Sequence, residues 1–178
     1  MKEMKEYTIP FVGLKTGQHK YDFNLDQKFF EHFEYEEFHQ VKIKVDVVLD
    51  KKPNMLEIGL FFDGSVAVSC DRTNEPFDLP LNGTYHFVVK FGEQRDDMQD
   101  ELVILPHGAY QVNIQQQIYE SIVLALPSKR IHPGIAEGTL KSDVLEQLEA
   151  LKPKGAQPNQ TDEVDPRWND LKKLLTDK

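Results

Sequence analysis

The stretch Val41-Lys-Ile-Lys-Val-Asp-Val-Val-Leu49 sets Val41, Ile43, Val45, Val47 and Leu49 at every second position, with Lys42, Lys44 and Asp46 between them. Side chains alternate across a strand, so this spacing describes a strand with one face in a core and the other in water. The pattern recurs around residues 56–62. Asp63-Gly64 then precedes residues 65–70, where Val66, Val68 and Cys70 share a face. A DG pair between two β-rich runs favours a two-residue hairpin, because both residues tolerate positive φ. Asn82-Gly83 gives the same signal between residues 77–81 and 84–91. Pro80 cannot donate to a ladder, which places its strand at an edge or a bulge. A last short strand is expected over 102–105.

Helical spacing appears on both sides of these strands. Residues 25–33 read as a short helix that lids the sheet, with Asp26 as its cap, Leu25 and Phe30 at staple spacing, and Phe29, Phe30 and Phe33 on one face. Ile114, Ile118, Ile122, Val123 and Leu126 mark a helix that packs on the sheet and stops at Pro127. Leu140, Val144, Leu145, Leu148 and Leu151 form the stripe of another, after a turn region at Gly134 to Gly138. Residues 152–164 lack apolar periodicity and read as a flexible linker. Asp165-Pro166 then starts an amphipathic helix with Trp168, Leu171, Leu174 and Leu175 on its stripe. The expected architecture is α+β: an antiparallel β-meander with packed helices in a core domain over 1–151, a linker over 152–164, and a tethered C-terminal amphipathic helix over 165–178.

The chain has 178 residues, 39% of them hydrophobic, enough for a substantial core. Thirty acidic against 21 basic residues leave a net charge of −9, which opposes general adhesion to nucleic acid, DNA included. A single cysteine forms no internal disulfide, and the opening MKEMKEYTIP lacks the apolar core of a secretory signal. No window of eighteen apolar residues suggests a membrane span. A cytoplasmic protein is the expectation.

Catalytic chemistry has little to build on. Cys70 as a nucleophile would need His86 or His107 as its base, with no orienting acid in view, and a small buried hydrophobe is the simpler reading. Structural zinc wants four nitrogen or sulfur ligands, whereas Cys70-Asp-Arg-Thr73 puts Thr73 where a CxxC would have its second thiol. The carboxylates Glu34, Glu36, Glu37, Asp96, Asp97, Asp100 and Glu101 read as solvated faces, and no phosphate cradle, HExxH or GxSxG is present. No enzyme, metal or cofactor is expected. Lys129, Arg130 and His132 follow the helix that ends at Pro127. They are either cations set favourably against a helix C-terminus or a small phosphate-contacting patch. Arg167, Trp168, Lys172 and Lys173 pose a similar choice between a helix docked on its own protein and one presented to a partner.

Three stretches in order resemble one family. Residues 64–77 with Cys70, Asp71, Arg72 and Thr73 are the first; Val112-Asn-Ile114 through Glu120, running on to Leu124-Ala-Leu-Pro127 and His132, is the second; Asp165-Pro-Arg-Trp-Asn-Asp-Leu-Lys-Lys-Leu174 is the third. Together they are similar to the YceD-like large ribosomal RNA subunit accumulation proteins. The resemblance implies a bacterial protein acting in 23S ribosomal RNA accumulation and large-subunit assembly. Cys70 matches the first cysteine of the family's CxRC element and Arg72 its arginine, with Thr73 in place of the second cysteine. Many relatives have a further cysteine after the ALP segment, which implies metal binding in them, whereas this chain continues His132-Pro133-Gly134. The expectation is a non-enzymatic factor that contacts precursor ribosomal RNA or a ribosomal protein. Its candidate contacts are Arg72, Lys129, Arg130, His132, Arg167, Trp168, Lys172 and Lys173. The net charge favours the protein partner, and the alternative is a general interaction module presenting its terminal helix.

Overall fold

The alternating segment lies near the middle of a five-stranded sheet. The computed structural model describes residues 4–92 and 101–152. A 3-10 turn, Lys5–Tyr7, leads into β1 (Thr8–Pro10), β2 (Gly17–Leu25), α1 (Gln27–Glu31), β3 (Gln40–Lys51), β4 (Met55–Ser69) and β5 (Pro76–Phe91). β6 (Leu102–Leu105), β7 (Gln111–Asn113), α2 (Gln115–Leu124), α3 (Pro133–Glu137) and α4 (Asp143–Leu151) follow. Among the described residues no helix is long and apolar enough to cross a membrane. The chain divides into two units, Met1–Lys141 and Ser142–Lys178, and α4 belongs to the second. The linker expected at 152–164, beyond Lys152, and the helix expected at 165–178 lie outside the described residues, as do Asp96, Asp97 and Asp100.

Strand order is β2-β3-β4-β5-β6. The first four run as the expected antiparallel meander, while β6 joins β5 in parallel, Val88 opposite Leu102 and Phe91 opposite Leu105. Val41, Ile43, Val45, Val47 and Leu49 are all buried, as their alternation requires, each contributing about 1.5–3 kcal/mol by leaving water. The facing row repeats this on β4 with Leu56, Ile58, Leu60, Phe62, Val66 and Val68.

Neither Asp63-Gly64 nor Asn82-Gly83 is a turn. Both lie inside long strands, and the two pairs sit across from each other, Asp63 opposite Asn82 and Phe62 opposite Gly83. The glycines serve close approach instead. A Cβ on Gly64 would fall 2.1 Å from the Lys42 carbonyl oxygen, and one on Gly83 would fall 2.5 Å from the Phe62 ring. Phe62 therefore lies over Gly83, and the paired β3 backbone at Lys42 and Ile43 comes close against Gly64. The actual reversals are at residues 52–54, closed by the Lys52 N–H donating to the Met55 carbonyl at 3.0 Å, and at residues 70–75. Pro80 pairs with Ser65 on a part of β5 with no described strand on its other side, an edge position where a missing donor is tolerated.

The core face of the sheet is covered by α1, α2 and a small ribbon in which β1 pairs with β7. Ile114, Ile118 and Ile122 of the α2 region are fully buried, as are Phe29 and Phe30 of α1. Asp26 stands at the start of α1, but its side chain makes no capping bond. Asn113 ties the ribbon together: its amide nitrogen donates to the Met4 carbonyl at 3.0 Å and to Thr8 Oγ1 at 2.9 Å, while its oxygen accepts from the Gln115 N–H at 3.0 Å. The predicted turn region at 134–138 contains α3, which ends at Gly138 with φ 69°, the left-handed conformation that glycine adopts at helix ends.

Candidate functional site

The loop between β4 and β5 holds the residues that the sequence singled out. β4 ends at Ser69, and the next side chain in its alternation, Cys70, still points into the core, 2% exposed beside Val66 and Val68. The Cys70 N–H donates to the Glu75 carbonyl at 2.9 Å and the Asn74 N–H to the Cys70 carbonyl at 2.8 Å, closing the loop. Asn74 takes φ 59°, a conformation asparagine accepts more readily than most residues. Thr73 turns inward and is buried.

The second half of the site comes from the segment after α2. Asp71 and Arg130 exchange two bonds: the Asp71 N–H donates to the Arg130 carbonyl at 2.8 Å, and the Arg130 N–H donates to Asp71 Oδ2 at 2.7 Å. The Arg130 guanidinium lies between two carboxylates, with Nε 3.4 Å from Asp71 Oδ1 and a terminal nitrogen donating to Glu37 Oε2 at 2.5 Å. Tyr35 adds its hydroxyl to the same Glu37 oxygen at 3.3 Å. Two residues further, the His132 N–H donates to Cys70 Sγ at 3.3 Å, and the His132 ring lies 5.5 Å from that of Phe77. His132 Nδ1 accepts the Gly134 N–H at 3.0 Å and so caps α3.

Burial pushes the Cys70 thiol up. Hydrogen bonds from the Thr73 hydroxyl and from the backbone N–H groups of His132, Arg72 and Thr73 outweigh it and hold the thiol below its ordinary value. Of the two bases the sequence suggested, His86 stands on the opposite, water face of the sheet, edge-on to Phe61, and His107 is exposed in the connection between β6 and β7. The donors here do not fit a metal either. Thr73 supplies a neutral hydroxyl already given to sulfur, the His132 lone pair at Nδ1 is occupied by Gly134, and no group of three or more His, Cys, Asp or Glu side chains suited to a metal exists among the described residues.

The structure thus brings Arg72, Arg130 and His132 to one loop cluster and gives each a different standing. Arg130 answers to Glu37 and Asp71 rather than to the end of α2, which stops six residues earlier and is beyond the reach of a dipole effect confined to the last turn. Arg72 and Lys129 are exposed. Arg167, Trp168, Lys172 and Lys173 lie outside the described residues. The sequence reading missed Asp71 and Glu37 as partners, treating Glu37 as part of a solvated run. The only local hint was an acid beside Cys70.

Comparison with known families matches residues 60–175, well over half the chain, to the large ribosomal RNA subunit accumulation protein YceD. No curated protein and no solved structure matches it. The matched span begins within β4 and takes in both halves of the clasp, from the Cys70 loop to His132 and α3. The chain belongs to the YceD family of large ribosomal RNA subunit accumulation proteins.

Proposed function

We propose that the protein is a non-enzymatic factor of the bacterial cytoplasm that supports 23S ribosomal RNA accumulation and large-subunit assembly by contacting a ribosomal protein. The observation that carries the protein-contact version is Arg130. The central cation of the anticipated phosphate patch is held between Glu37 and Asp71, and a guanidinium engaged in this way has little to offer a phosphate. With Arg72 and Lys129 the exposed cations left at that cluster and a net charge of −9 on the chain, counterion release at this loop would be small. Family membership supports the ribosomal setting. Deleting the gene should lower free large subunits on a sucrose gradient and reduce 23S RNA relative to 16S. An unchanged gradient profile and an unchanged ratio would refute the reading.

A further inference from the structure

On the water face of the sheet, opposite the core, lies an open groove of about 740 Å³. Outward positions of a half-buried strand are ordinarily polar, yet here Val48, Phe61, Val88 and Leu102 line the trough, and Phe61 is 39% exposed. Gly59 deepens it. In the cross-strand row Lys20, Val48, Gly59, His86 the glycine leaves out one side chain, and a Cβ there would meet the His86 ring at 2.9 Å and Phe61 at 3.2 Å. The His86 and Phe61 rings stand nearly perpendicular at 5.5 Å and form one wall.

Charge is distributed unevenly around that apolar floor. Among the described residues Asp50, Glu57 and Glu101 border the groove against a single cation, Lys90. Glu57 is paired with Lys52, whereas Asp50 and Glu101 carry no ion pair among the described residues. A greasy trough with unpaired carboxylates on its rim complements side chains with an aliphatic stem and a cationic head. The stem lies along Val48 and the face of Phe61, and the head reaches the carboxylates.

We propose that this groove seats an extended lysine- and arginine-rich segment of an RNA-binding protein. This rests on the reading that the chain acts through protein contact, and names the chemistry of the partner. Such a segment would otherwise collapse onto ribosomal RNA by charge alone, and an acidic protein with an aliphatic-aromatic trough can hold it instead.

The test is fluorescence-anisotropy titration of the full chain with a short labelled peptide rich in arginine and lysine and carrying one leucine, beside a matched acidic peptide and a labelled ribosomal RNA hairpin. The basic peptide is expected to bind more weakly as salt rises, and Asp50→Lys with Glu101→Lys should weaken it about tenfold or more. Phe61→Ser, at a partly exposed position on the water face, should weaken it by several-fold. Glu137→Lys on α3 makes the same charge change as either Asp50→Lys or Glu101→Lys alone, away from the groove, and should leave affinity within twofold. Circular dichroism of each variant separates lost binding from lost folding. Equal losses in Glu137→Lys and the groove variants would show attraction to net charge alone and overturn the proposal. So would preference for the RNA hairpin, or filling of the groove by a second copy of the chain, seen as self-association that Phe61→Ser abolishes. The deletion phenotype reads the ribosomal role independently. A strain that loses 23S RNA while the peptide ignores the groove variants would sink the groove and leave that role intact.

Discussion

Asp71→Ala should be the most costly single change at the loop cluster, because it removes the support of a backbone group as well as one half of an ion pair. Its carboxylate accepts the Arg130 N–H at 2.7 Å, and a hydrogen bond to a charged acceptor is worth about 1.5–3 kcal/mol. The site is partly open, with the Asp71 side chain 38% exposed, so the low end of about 1.5 kcal/mol applies. The Nε contact at 3.4 Å adds only about 0.5 kcal/mol after screening by solvent. The sum is about 2 kcal/mol, or about 4–8 °C in melting temperature for a chain of this size. Arg130→Ala keeps the backbone bond and loses two screened ion pairs, about 0.5–1 kcal/mol in all. Urea unfolding of both single variants and the double variant gives the coupling between the side chains, expected at about 0.5 kcal/mol and reduced in 1 M salt, as about 3 Å screening implies. If Arg130→Ala cost as much as Asp71→Ala, the guanidinium rather than the backbone exchange would be the anchor, and this account of the clasp would be wrong.

Two further outcomes follow from packing and burial. Gly64→Ala must spread β3 from β4, since its Cβ would lie 2.1 Å from the Lys42 carbonyl oxygen and 2.7 Å from Ile43 Cα, and should cost about 2–3 kcal/mol. Gly13→Ala, with nothing within 4 Å, should be close to neutral in the same denaturant titration; equal costs would contradict the close approach. Burial, with help from Glu6 and Asp26, pushes the Tyr7 phenol up to about 12. The unfolded chain ionises this group from pH 10 upward while the folded chain cannot. Stability is therefore unaffected below pH 10 and falls between 10 and 12, by up to about 2–3 kcal/mol. Tyr7→Phe should flatten that part of the pH profile, and parallel profiles for the two proteins would refute the assignment.

The strands were legible wherever one face is buried and the alternation is uninterrupted, as along β3. Glycine misled the reading because DG and NG are turn signals only when the chain needs positive φ there. At Gly64 and Gly83 the missing Cβ answers a neighbour across the sheet instead, the Lys42 carbonyl in one case and the Phe62 ring in the other. Nothing within ten residues of either glycine reports that neighbour. β2 had a signal that went unread: His19, Tyr21, Phe23 and Leu25 face inward in register with Leu49, Val47, Val45 and Ile43, but the polar residues between them and histidine at one end dilute the pattern. The parallel pairing of β6 has no local signature, because four apolar residues in a row suit either direction.

The site was legible residue by residue and not as an assembly. Cys70, Arg72, Arg130 and His132 could be named from their types and order, but what Arg130 does depends on Asp71, 59 residues away, and Glu37, 93 residues away. Both acids look like ordinary solvated charge until the β4–β5 connection and the segment after α2 meet. The same meeting fixes the loop with threonine, not a thiol, at position 73. Here the Thr73 hydroxyl and three backbone N–H groups converge on Cys70 sulfur, and Asp71 holds the segment after α2 by its backbone. The loop keeps its shape through directional hydrogen bonds made mostly by main chain. Among the described residues the exposed side chains of Arg72 and Lys129 make no bond in this cluster, so the surface chemistry of the loop can vary while its geometry is preserved.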